Sequence, residues 1–260
     1  MRVKLLGAEH PDEEEATKAV RSVIFDPIPN VNGLLVNLLG LERGERVVDA
    51  NMTSAYNRAN PHSDKYEERR AAEVLTEIDR EDPDIVVSLH NPGAGKTRFA
   101  VIDPARGVTP EVLGMLHEFG IRYLIAAHFG VMAHRTNSVL IEVPKKEIRD
   151  NGVDFVRQFV NDLANRSDLP TARAADFEWF THSEIRGGGL HKDDIHPDEL
   201  SQKDRDAIVE FGRAPRIIEE RLGSPEPLYL TSNVRTPNKA GFWSEIVRKI
   251  QTPDTSHWPS

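Results

Sequence analysis

The stretch Asp84-Ile85-Val86-Val87-Ser88-Leu89-His90 decides the fold. It is a short, nearly continuous apolar run directly after a helical segment, residues 65–80. In that segment Ala71, Ala72, Leu75 and Ile78 form an inner stripe and Pro83 closes the pattern. A strand buried on both faces reads this way, and such strands occupy the centre of parallel sheets. Strands and helices alternate outward from it. Toward the N-terminus, Val3-Lys4-Leu5-Leu6 predicts a buried strand. Residues 13–25 predict a helix with Ala16, Ala19, Val20 and Val23 on one face, and residues 34–36 a second strand. Residues 40–45 read as a turn, 46–49 as a further strand and 51–64 as a polar loop. Toward the C-terminus, strands are expected at 99–102, 121–126 and 138–143. A helix opens at Thr109-Pro110-Glu111, where Thr suits the cap and Pro the first helical position. A longer helix over 145–165 turns Ile148, Phe155, Val156, Phe159, Val160 and Leu163 inward. The pattern predicts an α/β protein with a layered sheet, parallel or mixed, through about residue 165.

The texture then changes. Residues 166–170 resemble a linker, and short strand candidates at 177–181, 228–231 and 233–235 are separated by Gly187-Gly188-Gly189 and many prolines. Two domains are expected: 1–168, and a smaller β-rich unit over 169–260.

Composition narrows the function classes. Of 260 residues, 38% are hydrophobic and 29% charged, so the chain suits a soluble, highly charged globular protein. A net charge of −9 disfavours general attraction to nucleic acid or an anionic membrane, and neither partner is expected. With no cysteine, disulfides and thiolate metal sites are excluded, and any zinc must be held by His and carboxylate. No long apolar run exists, and the apolar part of residues 1–8 is too short for a signal peptide, so a cytoplasmic location is expected. A homo-oligomer is left open. Gly93-Ala94-Gly95-Lys96-Thr97 imitates the end of a phosphate loop, but the first glycine of that pattern is replaced by His90 and no helix pattern follows.

In an open α/β sheet, ligands bind beyond the carboxyl ends of the strands. His10 and Glu13, three residues apart where a strand hands over to a helix, fall there, and so does His90. Two histidines and one glutamate make a zinc set with a fourth position open for water. Taken singly, Glu13 also suits an acidic helix start, and His90 a buried histidine bonded to backbone. Glu142 lies inside the apolar run Val139-Leu140-Ile141-Glu142-Val143. It is either an outward-facing edge residue, one half of a structural ion pair, or a general base beside the metal. Arg58 is a candidate for holding an oxyanion, and Arg46 and Arg135 for gripping substrate carboxylates; each also fits a solvated surface role.

Together these residues resemble the succinylglutamate desuccinylase/aspartoacylase family of zinc-dependent hydrolases. The family's Gly-x-His-Gly-Asn-Glu is similar to Glu9-His10-Pro11-Asp12-Glu13, its Asn-Arg pair to Asn57-Arg58, and an upstream Arg to Arg46. Its Asp-Leu-His-Asn strand end is similar to Ser88-Leu89-His90-Asn91, its Ile-Glu-Val-Gly-Pro strand to Ile141-Glu142-Val143-Pro144, and an Ile-His-Pro segment to Ile195-His196-Pro197. The resemblance spans residues 3 to about 245. It implies a zinc carboxypeptidase-like fold with helices on both faces of the sheet, and a C-terminal domain bordering the active site. It further implies one zinc ion per chain on His10, Glu13 and His90, with Glu142 as base and Arg58 as oxyanion stabiliser. Arg46, Asn57 and Arg58 would bind substrate, joined by Arg135 from the reading of the arginines above, while His196 is read as structural.

Three departures stand out. Pro11-Asp12 replaces Gly-Asn between the ligands. Ser88 replaces an Asp and weakens the support expected behind the metal. Near the C-terminus, Lys239 and Phe242 replace a Glu and a Tyr that recognise the amino-acid substrate. The expected activity is zinc-dependent cleavage of the amide bond of a small N-acyl amino acid or related carboxylate-bearing molecule. The alternatives are a carboxypeptidase-like peptidase and a non-catalytic binding protein on the same fold.

Overall fold

The computed structural model describes residues 1–91, 97–182, 212–213, 219–220, 223–230 and 246–259. Among these residues, ten strands form one mixed sheet. They are β1 (Val3–Gly7), β2 (Val31–Leu35), β3 (Ile85–His90), β4 (Phe99–Ile102), β5 (Tyr123–Ala126), β6 (Ser138–Glu142), β7 (Glu178–His182), β8 (Gly212–Arg213), β9 (Leu228–Leu230) and β10 (Ile246–Ile250). Their order is β2-β1-β3-β6-β4-β5-β7-β10-β9-β8. The decisive stretch is the central parallel strand that its composition predicts: β3 lies between β1 and β6, parallel to both, with all six residues buried. Direction reverses once inside the α/β part, because β4 runs antiparallel to β6 while β5 and β7 follow β4.

Helices cover both faces, as expected. One face carries α1 (Glu14–Phe25), α5 (Pro110–Glu118), α6 (Lys145–Asn151) and α7 (Asp154–Asn165), packed on Val3, Leu5, Val87, Val139 and Ile141. The other carries α3 (Met52–Ala55) and α4 (Tyr66–Glu81), packed on Leu6, Val86, Val101 and Leu140. The inner stripe of α4 is centred on Ala71, Val74 and Ile78, with Ala72 and Leu75 only half-buried. No helix among the described residues is long and apolar enough to cross a membrane.

Several local expectations need correction. Residues 46–49 form no strand. The buried Glu67 carboxylate instead accepts the N–H groups of Val48, Asp49 and Ala50 at 2.7–3.0 Å, satisfying the backbone without a ladder. Glu67→Ala is therefore expected to cost at least about 3 kcal/mol in denaturant unfolding, because three amides lose a charged acceptor at once. The expected turn at 40–45 is mostly helix, α2 (Leu38–Arg43), capped by the Asn37 side chain on Gly40 N–H. The polar loop contains α3 and a 3-10 turn at Tyr56–Arg58. The single helix expected over 145–165 is broken at Gly152, whose φ of +74° leaves the helical region. Strand β10 carries no signal that the sequence reading used.

Strands β7, β10 and β9 extend the same sheet edge to edge. The expected strand at 233–235, His196, Lys239, Phe242 and most of 92–97 lie outside the described residues.

Candidate metal centre and cleft

The site begins where β1 ends. Ala8 takes a left-handed conformation, φ +57°, which bends the chain immediately after the strand; Glu9 is buried and His10 lies in a cleft. His10-Pro11-Asp12-Glu13 is a turn closed by Glu13 N–H donating to His10 C=O at 2.9 Å. Proline's fixed φ suits the second position of such a turn. Gly40 makes room for it, since a Cβ there would stand 2.8 Å from the Pro11 ring. Asp12 Oδ1 takes a 2.6 Å hydrogen bond from Arg46 Nη1 and so holds the guanidinium over the cleft. The two residues that depart from the family pattern thus have structural roles.

Glu13 precedes α1, but its side chain does not cap that helix. Asn91, one residue past β3, does so by accepting Ala16 N–H at 2.7 Å. It also donates through its side chain to Val143 C=O at 2.7 Å, and its backbone N–H reaches Glu13 Oε2 at 3.2 Å. The Glu13 carboxylate is thereby free to stand between both histidines. Oε1 is 3.0 Å from His10 Nδ1 and Oε2 is 2.9 Å from His90 Nδ1. One candidate ligand atom from each of the three residues falls within 4.8 Å of the others. Among the described residues this is the one group of His, Asp and Glu so gathered.

The donor chemistry fits a cation. Arg46 carries only donors, and its Nη2 lies 3.0 Å from His10 Nδ1, so that nitrogen presents a lone pair. The ring proton belongs on Nε2, which faces Asn51 Oδ1 at 3.3 Å. Thr53 N–H and hydroxyl also donate to that oxygen, which fixes it as the acceptor end of the amide. Nδ1 of His10 and Oε1 of Glu13 are then two electron-rich atoms at contact distance, and the Arg46 guanidinium supplies the positive charge they share, Nη2 at 3.0 Å from Nδ1 and Nη1 donating to Oε1 at 3.3 Å; a bound cation would take its place at Nδ1.

The charges are strongly biased. Burial works against ionisation of Glu13, yet the charge of His90 beside it prevails and holds the carboxyl well below its ordinary range. Burial likewise opposes the imidazolium of His90, but Glu13 and Glu9 overcome it and raise its pKa well above the usual value. Glu9, fully buried, is also held below its ordinary value, the hydrogen bond and charge of His90 outweighing desolvation. This carboxylate lies 3.3 Å from His90 Nε2 and accepts the Ser88 hydroxyl at 2.7 Å. The support thought weakened at Ser88 is supplied from the end of β1.

Glu142, at the end of β6, is the register partner of His90 and lines the same cleft, of about 330 Å³. Arg46 lines it too. Arg58 does not: it is half-exposed on the surface and pairs with Glu68. The exposed Asn57 is also outside the lining. Arg135 is not brought to the cleft either. It bonds Asp82 Oδ1 and Pro83 C=O at 2.6 and 2.8 Å, before the start of β3 and so at the opposite end of that strand from His90, and it is absent from the cleft lining. The lining includes residues that sequence reasoning missed: Asn51, Thr53 and His182, with an apolar floor of Phe99, Val101, Ile125, Leu140 and Phe129. Asn51 and Thr53 stand in a polar loop where nothing in the residue types separates ligand support from solvation.

No protein-family model and no curated protein matches the sequence. Solved structures do match, and they define a class of fold: the zinc carboxypeptidase-like arrangement of desuccinylases and aspartoacylases. Succinylglutamate desuccinylase from Chromobacterium violaceum superposes with a TM-score of 0.65 at 16% identity, over 97% of this chain and 85% of that one. Murine aminoacylase 3 gives 0.61 at 14% identity, over 97% of both chains. A succinylglutamate desuccinylase/aspartoacylase from Rhodobacter sphaeroides gives 0.57 at 16%, over 96% of this chain and 86% of that one. The family resemblance carried by the motifs thus holds at the level of the fold.

Proposed function

We propose that the chain is a zinc-dependent deacylase of the succinylglutamate desuccinylase/aspartoacylase kind, cleaving the amide bond of a small N-acyl amino acid or related carboxylate-bearing molecule. The observation that carries this is the meeting of His10, Glu13 and His90 at one point beside Glu142 and Arg46. His10 and His90, each through Nδ1, and Glu13 would hold one zinc ion. When bound there, zinc supplies Lewis-acid polarisation and lowers the pKa of water. Glu142 takes the proton from the attacking water as the C–O bond forms, and passes it to the leaving nitrogen as the C–N bond breaks. Arg46 takes over the role first expected of Arg58, steadying the oxyanion or the substrate carboxylate. The apolar floor suits a substrate whose acyl group or side chain is partly hydrocarbon. The division at 168/169 we retain as a functional one: ligands, base and Arg46 come from 1–168, and His182 borders the cleft from 169–260.

The test is hydrolysis of a panel of N-acyl amino acids and of peptides, by protein of known zinc content. Turnover of the acyl amino acids supports the proposal. Turnover of peptides alone favours the carboxypeptidase-like alternative, and stoichiometric zinc with no turnover of either favours a binding protein. Arg46→Ala is expected to lower kcat/KM about 10²- to 10³-fold with zinc content unchanged.

A further inference from the structure

Glu9 is a residue that the proposed reaction does not use. It is 2% exposed, and its partners are Ser88, Tyr56 and His90. A buried carboxylate is costly unless hydrogen-bonded. The arrangement around it is directional. Ser88 Oγ donates to Glu9 Oε1 at 2.7 Å and the Tyr56 hydroxyl donates to the same oxygen at 3.4 Å. Oε2 is left for His90 Nε2 at 3.3 Å. Because the Ser88 proton is spent on Glu9, its oxygen presents a lone pair to His90 Nε2 at 3.1 Å. Two acceptors thus face Nε2, which must carry a proton. The opposite nitrogen, Nδ1, faces Glu13 Oε2 at 2.9 Å.

We infer that Glu9 is a positioning residue: with Ser88 it holds the Nε2 proton and the plane of His90, so that Nδ1 is the nitrogen left for a metal at the point shared with His10 and Glu13. This rests on the zinc reading above. A histidine ligand characteristically donates its second N–H to a carboxylate or carbonyl, and loss of such a partner typically costs 10- to 100-fold in metal affinity. Here the carboxylate comes from the residue beside the other histidine ligand, so one turn after β1 supplies both a ligand and the support for a ligand on β3.

Glu9→Gln tests this sharply. The amide oxygen can still accept from Ser88 and Tyr56, but its NH2 then faces His90 Nε2–H, donor against donor. The conflict is relieved by moving the ring proton to Nδ1, the atom a metal needs. Zinc affinity, measured by competition with a chromophoric chelator, is expected to fall about 10- to 100-fold, with the folded fraction checked by circular dichroism. In zinc-loaded wild-type protein, long-range proton–nitrogen-15 NMR should show His90 protonated at Nε2. Equal zinc affinity in wild type and Glu9→Gln overturns the role of Glu9 alone. Wild-type protein that takes up no zinc overturns the metal reading and this inference with it. If Glu9→Gln does not fold, the wild-type spectrum decides, and a His90 protonated at Nδ1 overturns the inference.

Discussion

Glu142→Gln is expected to keep zinc at one equivalent and to lower kcat about 10²- to 10⁴-fold, the usual worth of a positioned general base. The change is nearly isosteric, so the β6 register that pairs residue 142 with His90 should persist. What is lost is the capacity to receive a proton. KM should change little, because the base contributes chiefly as the transition state forms. Metal analysis beside steady-state kinetics on the best N-acyl amino acid separates the two effects. An unchanged kcat would show that Glu142 is not the base and that water is activated by another group.

His90→Ala is the second large effect, and it acts on metal and stability together. Removing the ring deletes one of three proposed ligands, and zinc content should fall from one equivalent toward zero. It also strips Glu9 and Glu13 of the imidazole that both carboxylates contact within 3.3 Å. Two buried anions left facing a small void should destabilise the metal-free protein by about 3–5 kcal/mol, the scale seen when one partner of a buried pair is removed. Denaturant unfolding of metal-free wild type and variant measures this directly, with metal removal by chelator as the common reference. Stoichiometric zinc in His90→Ala would remove His90 from the ligand set.

The fold was legible where burial alone dictates residue type. Residues 85–90 could be read as a central strand because both faces are covered, and the amphipathic helix at 66–81 because one face is. Signals failed where side chains replace backbone pairing. The segment at 46–49 looks β-like, yet its amides are served by Glu67, a contact across nearly twenty residues that no local pattern reveals. Likewise the reversal of β4 depends on what lies beside it, since strand composition carries no direction. In the site, His10, Glu13, His90 and Glu142 were found because their main-chain positions at strand ends already bring them together. The arginines were read less well. A guanidinium sits at the end of a long, flexible stem, so Arg46 reaches the cleft while Arg135 turns to Asp82. Glu9 was passed over because a carboxylate next to a ligand looks like another surface charge until Ser88 and Tyr56 are seen to enclose it.

The reversal between β6 and β4 separates two jobs that enzymes often entangle. The proposed ligands and base lie at or just past the ends of β1, β3 and β6, whereas Phe99, Val101, Ile125 and Leu140 of the floor lie within β4, β5 and β6. Val101, Ile125 and Leu140 make none of the hydrogen bonds and ion pairs given above for His10, Glu13 and His90. On the function proposed above, exchange of floor residues would change substrate preference while the ligands and the base keep their places.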